Sequence, residues 1–244
     1  ALYPDELKAT VVNDGNKSDD NGSGYEISEL LIPETIVYEG ITYTVKSIGD
    51  YAFCNTKCLK SITLSDSITK IGMRAFAQCD SLQSITIPKN VVMVGSYAFE
   101  ASYALQTIDV DAENSTYSSI SNCLCNKEGT ELILAPAGRD SIVIAEGITA
   151  IDRYAFSYCK SLTNVDIPDS VTAIGSCAFS YCDSLTNITI PDSVKDIPYG
   201  AFMYCHNLTD LTIEKGVKTI GDNAFYYCDS LESLTIPDSV TTIG

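Results

Sequence analysis

The chain has 244 residues, 45% of them hydrophobic, and a formal net charge of −17, because 32 acidic residues oppose 15 basic ones. This composition is typical of a folded protein of one or two domains and excludes a disordered chain. The excess of acid argues against nucleic acid and anionic membrane surfaces, and no apolar run is long enough for a transmembrane helix. We therefore expect no nucleic-acid partner and no direct membrane insertion.

The first predicted element is an N-terminal cap over residues 1–45. The strand-like KATVV at Lys8–Val12 opens it, and VYEGITYTV then alternates around Glu39–Gly40, a pattern typical of a β-hairpin. Between them lies the acidic stretch Asp14–Glu26, which fails the calcium-loop pattern because Asp19 stands where the loop needs glycine. We expect a polar loop there and a hairpin that caps the first coil.

From residue 46 onward the chain repeats itself every 23 residues, with a leucine six residues after each phenylalanine. The phenylalanines that mark the register are Phe53, Phe76, Phe99, Phe156, Phe179, Phe202 and Phe225. A fixed period of this length predicts a solenoid, in which each repeat is one coil stacked on the next. Regular repeats are predicted over 46–110 and 145–244, within one continuous solenoid domain.

Each coil is predicted to contain one strand and one short helical turn. In the segment Leu185–Ile190 the isoleucines alternate with Thr189, which indicates a strand with the threonine facing outward. Pro191 ends this strand because proline cannot donate the next ladder hydrogen bond. Pro198 suits the first turn of a helix, so a helical turn is expected to carry Ala201–Phe202.

The segment 111–144 interrupts the period. It contains CLCNKEGTELILAP, which indicates a second hairpin that turns at Lys127–Thr130. We expect an irregular coil within the same core. The sequence stops at Ile243–Gly244, just before the next expected Ala-Phe pair, and we expect the full protein to continue beyond it.

The Leu-x-x-Ile-x-Ile core is a variant of the leucine-rich repeat signature. The full coil VTAIGSCAFSYCDSLTNITIP resembles the BspA-like leucine-rich repeat family of bacterial surface proteins, and the resemblance covers most of residues 30–244. It implies an α/β repeat fold: a right-handed solenoid with a parallel sheet along one face and short helical turns opposite. It also implies a bacterial protein that is extracellular or at the cell surface.

The ten cysteines form two groups. Those that follow the phenylalanine by three residues are Cys79, Cys159, Cys182, Cys205 and Cys228. One cysteine per coil makes a ladder instead of converging on one ion, so we expect buried, unreactive thiols and no metal site. The cysteines off the ladder are Cys54, Cys58, Cys123, Cys125 and Cys177, for which a disulfide such as Cys54–Cys58 stays open.

The residues give little support for catalysis. The single histidine, His206, occupies a position that holds Asp or Lys in other coils, which indicates variable surface. A Ser-His or Cys-His nucleophile would need this histidine, and a filled solenoid core offers no cleft for paired carboxylates. We predict no enzyme, no catalytic residue and no cofactor.

Two outward stripes remain for binding, since extended solenoid faces commonly bind ligands. The predicted outward row of the sheet consists of Thr63, Thr86, Asp109, Asp166, Thr189, Thr212 and Thr235. The predicted tyrosine stripe, two residues after the phenylalanine, consists of Tyr158, Tyr181, Tyr204 and Tyr227. Tyrosine gives rigid contact area for proteins or sugars. The alternative for these tyrosines is stacking between adjacent coils.

The favoured function is an exported binding module that contacts host protein, another cell or a glycan. The resemblance supplies adhesion, and the residues permit it. The alternative is a rigid spacer that binds nothing and holds another domain away from the cell envelope, because the outward positions barely differ between the later coils.

Overall fold

The computed structural model describes residues 2–3, 8–11 and 27–244, and the regular elements within them are all β-strands. The chain divides into two compact units, Ala1–Ser118 and Ser119–Gly244. Each unit is a parallel β-solenoid whose strands pair mainly from one coil to the next. The predicted polar loop at Asp14–Glu26 lies outside the described residues, and the predicted domain boundaries remain predictions.

The strands of the first unit fall into two sets. The strands are β1 (Leu2–Tyr3), β2 (Lys8–Val11), β3 (Glu29–Ile32), β4 (Thr35–Tyr38), β5 (Ile41–Ile48), β6 (Ser61–Leu64), β7 (Lys70–Ile71), β8 (Ser84–Ile87), β9 (Met93–Val94) and β10 (Thr107–Val110). One sheet has the order β1-β2-β5-β7-β9, with β4 also on β5, and the other set forms the parallel pairs β3–β6 and β8–β10. Each coil therefore contributes a strand to two faces.

The second unit repeats this arrangement, after β11 (Tyr117–Ile120) at the boundary. Its strands are β12 (Cys123–Asn126), β13 (Glu131–Leu134), β14 (Ser141–Val143), β15 (Ala150–Ile151), β16 (Asn164–Asp166), β17 (Ala173–Ile174), β18 (Asn187–Ile190), β19 (Asp196–Ile197), β20 (Asp210–Ile213), β21 (Thr219–Ile220) and β22 (Thr242–Ile243). The longer strands pair as β14–β16 and β18–β20, and the short ones form β13-β15-β17 and β19-β21-β22.

Two hairpins interrupt the coils. Strands β4 and β5 are antiparallel, and Glu39 and Gly40 between them have φ of 50° and 76°, as a tight two-residue hairpin turn requires. Strands β12 and β13 are also antiparallel, and the Asn126 carboxamide oxygen accepts the N–H groups of Thr130 and Glu131 at 2.8 and 3.0 Å. These side-chain bonds hold the second turn closed.

Stacked phenylalanines form the core of each unit. In the first unit the ring centroid of Phe76 lies 5.3 Å from that of Phe53 and 5.6 Å from that of Phe99. In the second unit Phe179 stacks on its two neighbours at 4.7 and 5.2 Å. Phe76 and Phe179 are fully buried, as are the leucines six residues after them. The periodic apolar positions thus build a dry interior, as the period predicts.

The predicted helical turns are wrong, and no α-helix occurs in the described part of the chain. The residues two before and two after each phenylalanine have left-handed backbone, for example Tyr154 at φ 62° and Tyr158 at φ 63°. An α-helix needs consecutive residues with right-handed backbone and hydrogen bonds between residues four apart. Here the N–H of Phe156 donates instead to the carbonyl of Ala178 in the next coil at 2.8 Å. The segment is therefore a series of tight turns bonded between coils.

Candidate functional site

The predicted outward row lies on the longer strands. In the first unit it comprises Thr63 on β6, Thr86 on β8 and Asp109 on β10, all exposed, with Thr86 directly opposite Asp109. The inward neighbours Ile62 and Leu64 are buried, so the alternation along the strand sets which side chains reach solvent.

The second unit carries the same row. Asp166 on β16, Thr189 on β18 and Thr212 on β20 are exposed, and Thr189 lies opposite Thr212 in register. The structure places Thr235 differently: it is exposed but belongs to no strand. Val143, also exposed, lies opposite Asp166 and adds an apolar side chain to the row.

A second polar row, which we did not predict, lies beside the first. Residues two apart on a strand face the same side, so Asn187 accompanies Thr189 and Asp210 accompanies Thr212. Asn187 and Asp210 are both exposed and directly opposite each other. The two rows together make a grid of small polar side chains, spaced roughly 4.8 Å across strands and about 7 Å along them. The same period of two that predicted the first row would have revealed this one.

The tyrosine stripe is a stack. Its ring centroids are 4.4 Å apart for Tyr158–Tyr181, 4.5 Å for Tyr181–Tyr204 and 5.1 Å for Tyr204–Tyr227, with nearly parallel planes. Burial raises the pKa of Tyr181, whose hydroxyl also hydrogen-bonds those of Tyr158 and Tyr204. Since neighbouring rings cover each other's faces, a partner would meet ring edges and hydroxyls. A binding role for the stripe stays a prediction.

The ladder cysteines have a structural task. The thiol of Cys182 donates to the Phe156 carbonyl at 3.2 Å, and the Ser102 hydroxyl makes the same bond to Phe76 at 2.7 Å. Burial raises the pKa of Cys79 to about 12, which keeps this thiol protonated. The position thus holds a small donor for a buried carbonyl, which in the case of Phe156 also accepts the N–H of Cys159 at 3.0 Å. All ten cysteines are free thiols, and no group of residues in the described ranges is arranged to hold a metal ion.

His206 takes part in a contact between coils. Its Nδ1 lies 2.8 Å from a carboxylate oxygen of Asp229, and both side chains are substantially exposed. The arrangement is a surface pair, and its net contribution to stability is small.

Comparisons with known proteins agree with this architecture. The pneumococcal vaccine antigen PcpA matches with a TM-score of 0.66 and 24% identity, over 89% of this chain and 63% of that one. A leucine-rich cell surface protein from Faecalibacterium prausnitzii A2-165 matches with a TM-score of 0.55 and 22% identity, over 100% of this chain and 91% of that one. Both likenesses show the fold, and this chain spans less than two thirds of the PcpA chain. No curated protein matches the sequence.

Two further findings concern the class of protein. None of the described residues forms a helix that is long and apolar enough to cross a membrane. A family model for the BspA type leucine rich repeat region matches residues 36–134 and 138–244, in six copies. The chain therefore belongs to the BspA-type leucine-rich repeat family.

Proposed function

We propose that this chain is a binding module, exported by a bacterium and displayed at its surface, that contacts an extracellular protein or glycan. The observation that carries the proposal is the polar grid of the second unit. Asn187, Thr189, Asp210 and Thr212 are exposed and in register, while their strand neighbours are buried in the core. Side chains that the core does not use are available for a partner.

The chemistry of the grid favours many small contacts. Its residues in β14, β16, β18 and β20 are Ser141, Val143, Asn164, Asp166, Asn187, Thr189, Asp210 and Thr212. These residues include no Lys or Arg, so the grid suits a neutral or basic surface better than an anionic one. Short hydroxyl and amide groups each bind weakly, and a repetitive ligand sums such contacts.

The near-equality of the coils argues against an enzyme. A catalytic site needs unlike groups in one fixed constellation, whereas the grid offers Thr189 and Thr212 at equivalent places. The family and the description of the F. prausnitzii neighbour as a cell surface protein support display at the surface.

A glycan and extracellular-matrix array tests the proposal. The grid variant Asp166→Ala/Thr189→Ala/Thr212→Ala is compared with the wild type and with a control variant, Thr172→Ala/Asp196→Ala/Thr219→Ala. The control removes the same residue types from two short strands and from the residue just before a third. We expect a ligand that binds the wild type and the control variant and is lost from the grid variant. Binding by no array member, or equal binding by all three proteins, would contradict the proposal and leave the rigid spacer as the better account.

A further inference from the structure

A polar groove lies beside the base of the first hairpin, in the first unit. It has a volume of about 490 Å³. Its lining residues are Glu34, Lys46, Asp66, Ser67, Thr69 and Asn90. The hairpin enters the coil between Glu34 and Val45, where the next coil runs directly from Asp66 to Ile68. The groove therefore arises from the inserted hairpin, which the regular repeat lacks.

The walls of the groove are fixed by bonds between coils. The N–H of Val45 donates to the Glu34 carbonyl at 2.8 Å, which closes the hairpin base. The N–H of Thr69 donates to the Lys46 carbonyl at 2.8 Å, and the hydroxyl of Ser67 donates to the Val45 carbonyl at 2.6 Å. Because the backbone is held in this way, a ligand has only to order the side chains that line the groove.

The lining side chains differ in how far they are engaged, and the hydroxyls of Ser67 and Thr69 already donate to backbone carbonyls. In the described part of the chain, the side chains of Glu34 and Lys46 have no hydrogen-bond or ion-pair partner. The Asp66 carboxylate meets Lys89 at 3.4 Å, an exposed pair of little strength. The Asn90 amide nitrogen donates to the Asp66 carbonyl at 2.8 Å, which leaves its oxygen for a ligand. The groove thus offers several acceptors and one ammonium donor.

We propose that this groove binds a carbohydrate chain, at a site separate from the polar grid. Sugar hydroxyls both donate and accept, which matches the carboxylates of Glu34 and Asp66 and the ammonium of Lys46. The lining residues are all polar and expose mainly polar atoms, so the groove offers little apolar surface to a lipid or an apolar peptide side chain. The net charge of −17 disfavours polyanions. The volume lies in the range of about 300–1,000 Å³ typical of small-ligand sites.

The test uses saturation-transfer NMR and titration calorimetry with four neutral tetrasaccharides. They are cellotetraose, maltotetraose, mannotetraose and N-acetylchitotetraose. The groove variant is Lys46→Ala/Asp66→Ala. The control variant is Asp169→Ala/Lys218→Ala, which removes the same residue types from the same repeat positions in the second unit, where no such hairpin is inserted. Glu34→Gln serves as a milder groove variant that keeps the shape of the side chain.

We expect at least one tetrasaccharide to bind the wild type, the control variant and the grid variant. Its affinity should fall at least tenfold in the groove variant and measurably in Glu34→Gln, with melting temperatures unchanged. Absence of binding by all four sugars, or equal affinity in the groove and control variants, overturns the proposal. Loss in the grid variant alone also overturns it and assigns the sugar to the sheet face instead.

Discussion

The phenylalanine and tyrosine stacks of the second unit have similar geometry and different surroundings. Phe156 and Phe179 are 4.7 Å apart and Tyr158 and Tyr181 are 4.4 Å apart, both at the same period. Phe179 is fully buried, whereas Tyr227 at the end of its stack is 49% exposed. A regular spacing therefore places side chains in line, but burial decides how much each line contributes to stability.

The same contrast separates the inward and outward residues of a strand. Ile188 and Thr189 are consecutive, yet the first is buried in the core and the second is exposed on the polar grid. The core residues hold the coils together and the outward ones are free for a partner. Substitutions at matched places within one or two coils test this distinction.

The largest effect is expected from Phe179→Ala. The ring is fully buried between two others, so its removal leaves a cavity and should lower the free energy of unfolding by about 3–5 kcal/mol. Urea unfolding followed by circular dichroism measures the change. A loss below 1 kcal/mol, far under the range for a buried ring, would show that the stack is not the core.

The next effect concerns the thiol ladder. Cys182→Ala removes the thiol donor and a small packed side chain, while the buried Phe156 carbonyl keeps the N–H of Cys159 at 3.0 Å, so the loss should be about 1–2 kcal/mol. Cys182→Ser keeps a donor, as Ser102 does in the first unit, and should cost clearly less. Equal losses in the same unfolding assay would mean that packing alone selects the small residue.

Alkaline pH should destabilise the fold through these thiols. Burial raises the folded-state pKa of Cys79 from an ordinary value of 9.0 to about 12. The stabilisation is complete below the ordinary pKa and is lost as pH rises from 9 towards 12, at about 1.4 kcal/mol per pH unit. Cys79→Ser should lose less stability than the wild type between pH 7 and pH 10. An equal loss in both would exclude this thiol as the cause.

A smaller effect is expected in the tyrosine stack. Tyr181→Ala removes two stacking contacts in a half-exposed setting and should cost about 1–2 kcal/mol, whereas Tyr181→Phe should preserve the stack. Thermal unfolding of the two variants measures the difference. A loss as large as that of Phe179→Ala would erase the contrast between the two stacks.

The sequence predicts the core and the outward row well, because both depend on local periods. A spacing of 23 identifies the phenylalanines, and alternation on β18 separates Ile188 from Thr189. The prediction of helical turns is wrong because tyrosine is not a residue type that signals positive φ, yet Tyr158 has left-handed backbone. A comparison of coils carries the missing signal: Gly200 and Asn223, which tolerate positive φ, stand at one of the two left-handed positions.

The groove could not be predicted from the sequence. It depends on where the hairpin folds back against the neighbouring turns, which brings Glu34 and Lys46 next to Asp66. These residues are ordinary surface residues in the linear sequence. Thr235 shows that the period can also predict too much. It stands at the same repeat position as Thr212 but lies on no strand.

The most direct test of the division between core and surface is the unfolding free energy of Thr189→Ala, measured beside Phe179→Ala under the same conditions. Thr189 is exposed on β18, so its truncation should change stability by less than about 0.5 kcal/mol. A loss for Thr189→Ala that matches the loss for Phe179→Ala would contradict the division between a buried core and an exposed outward row.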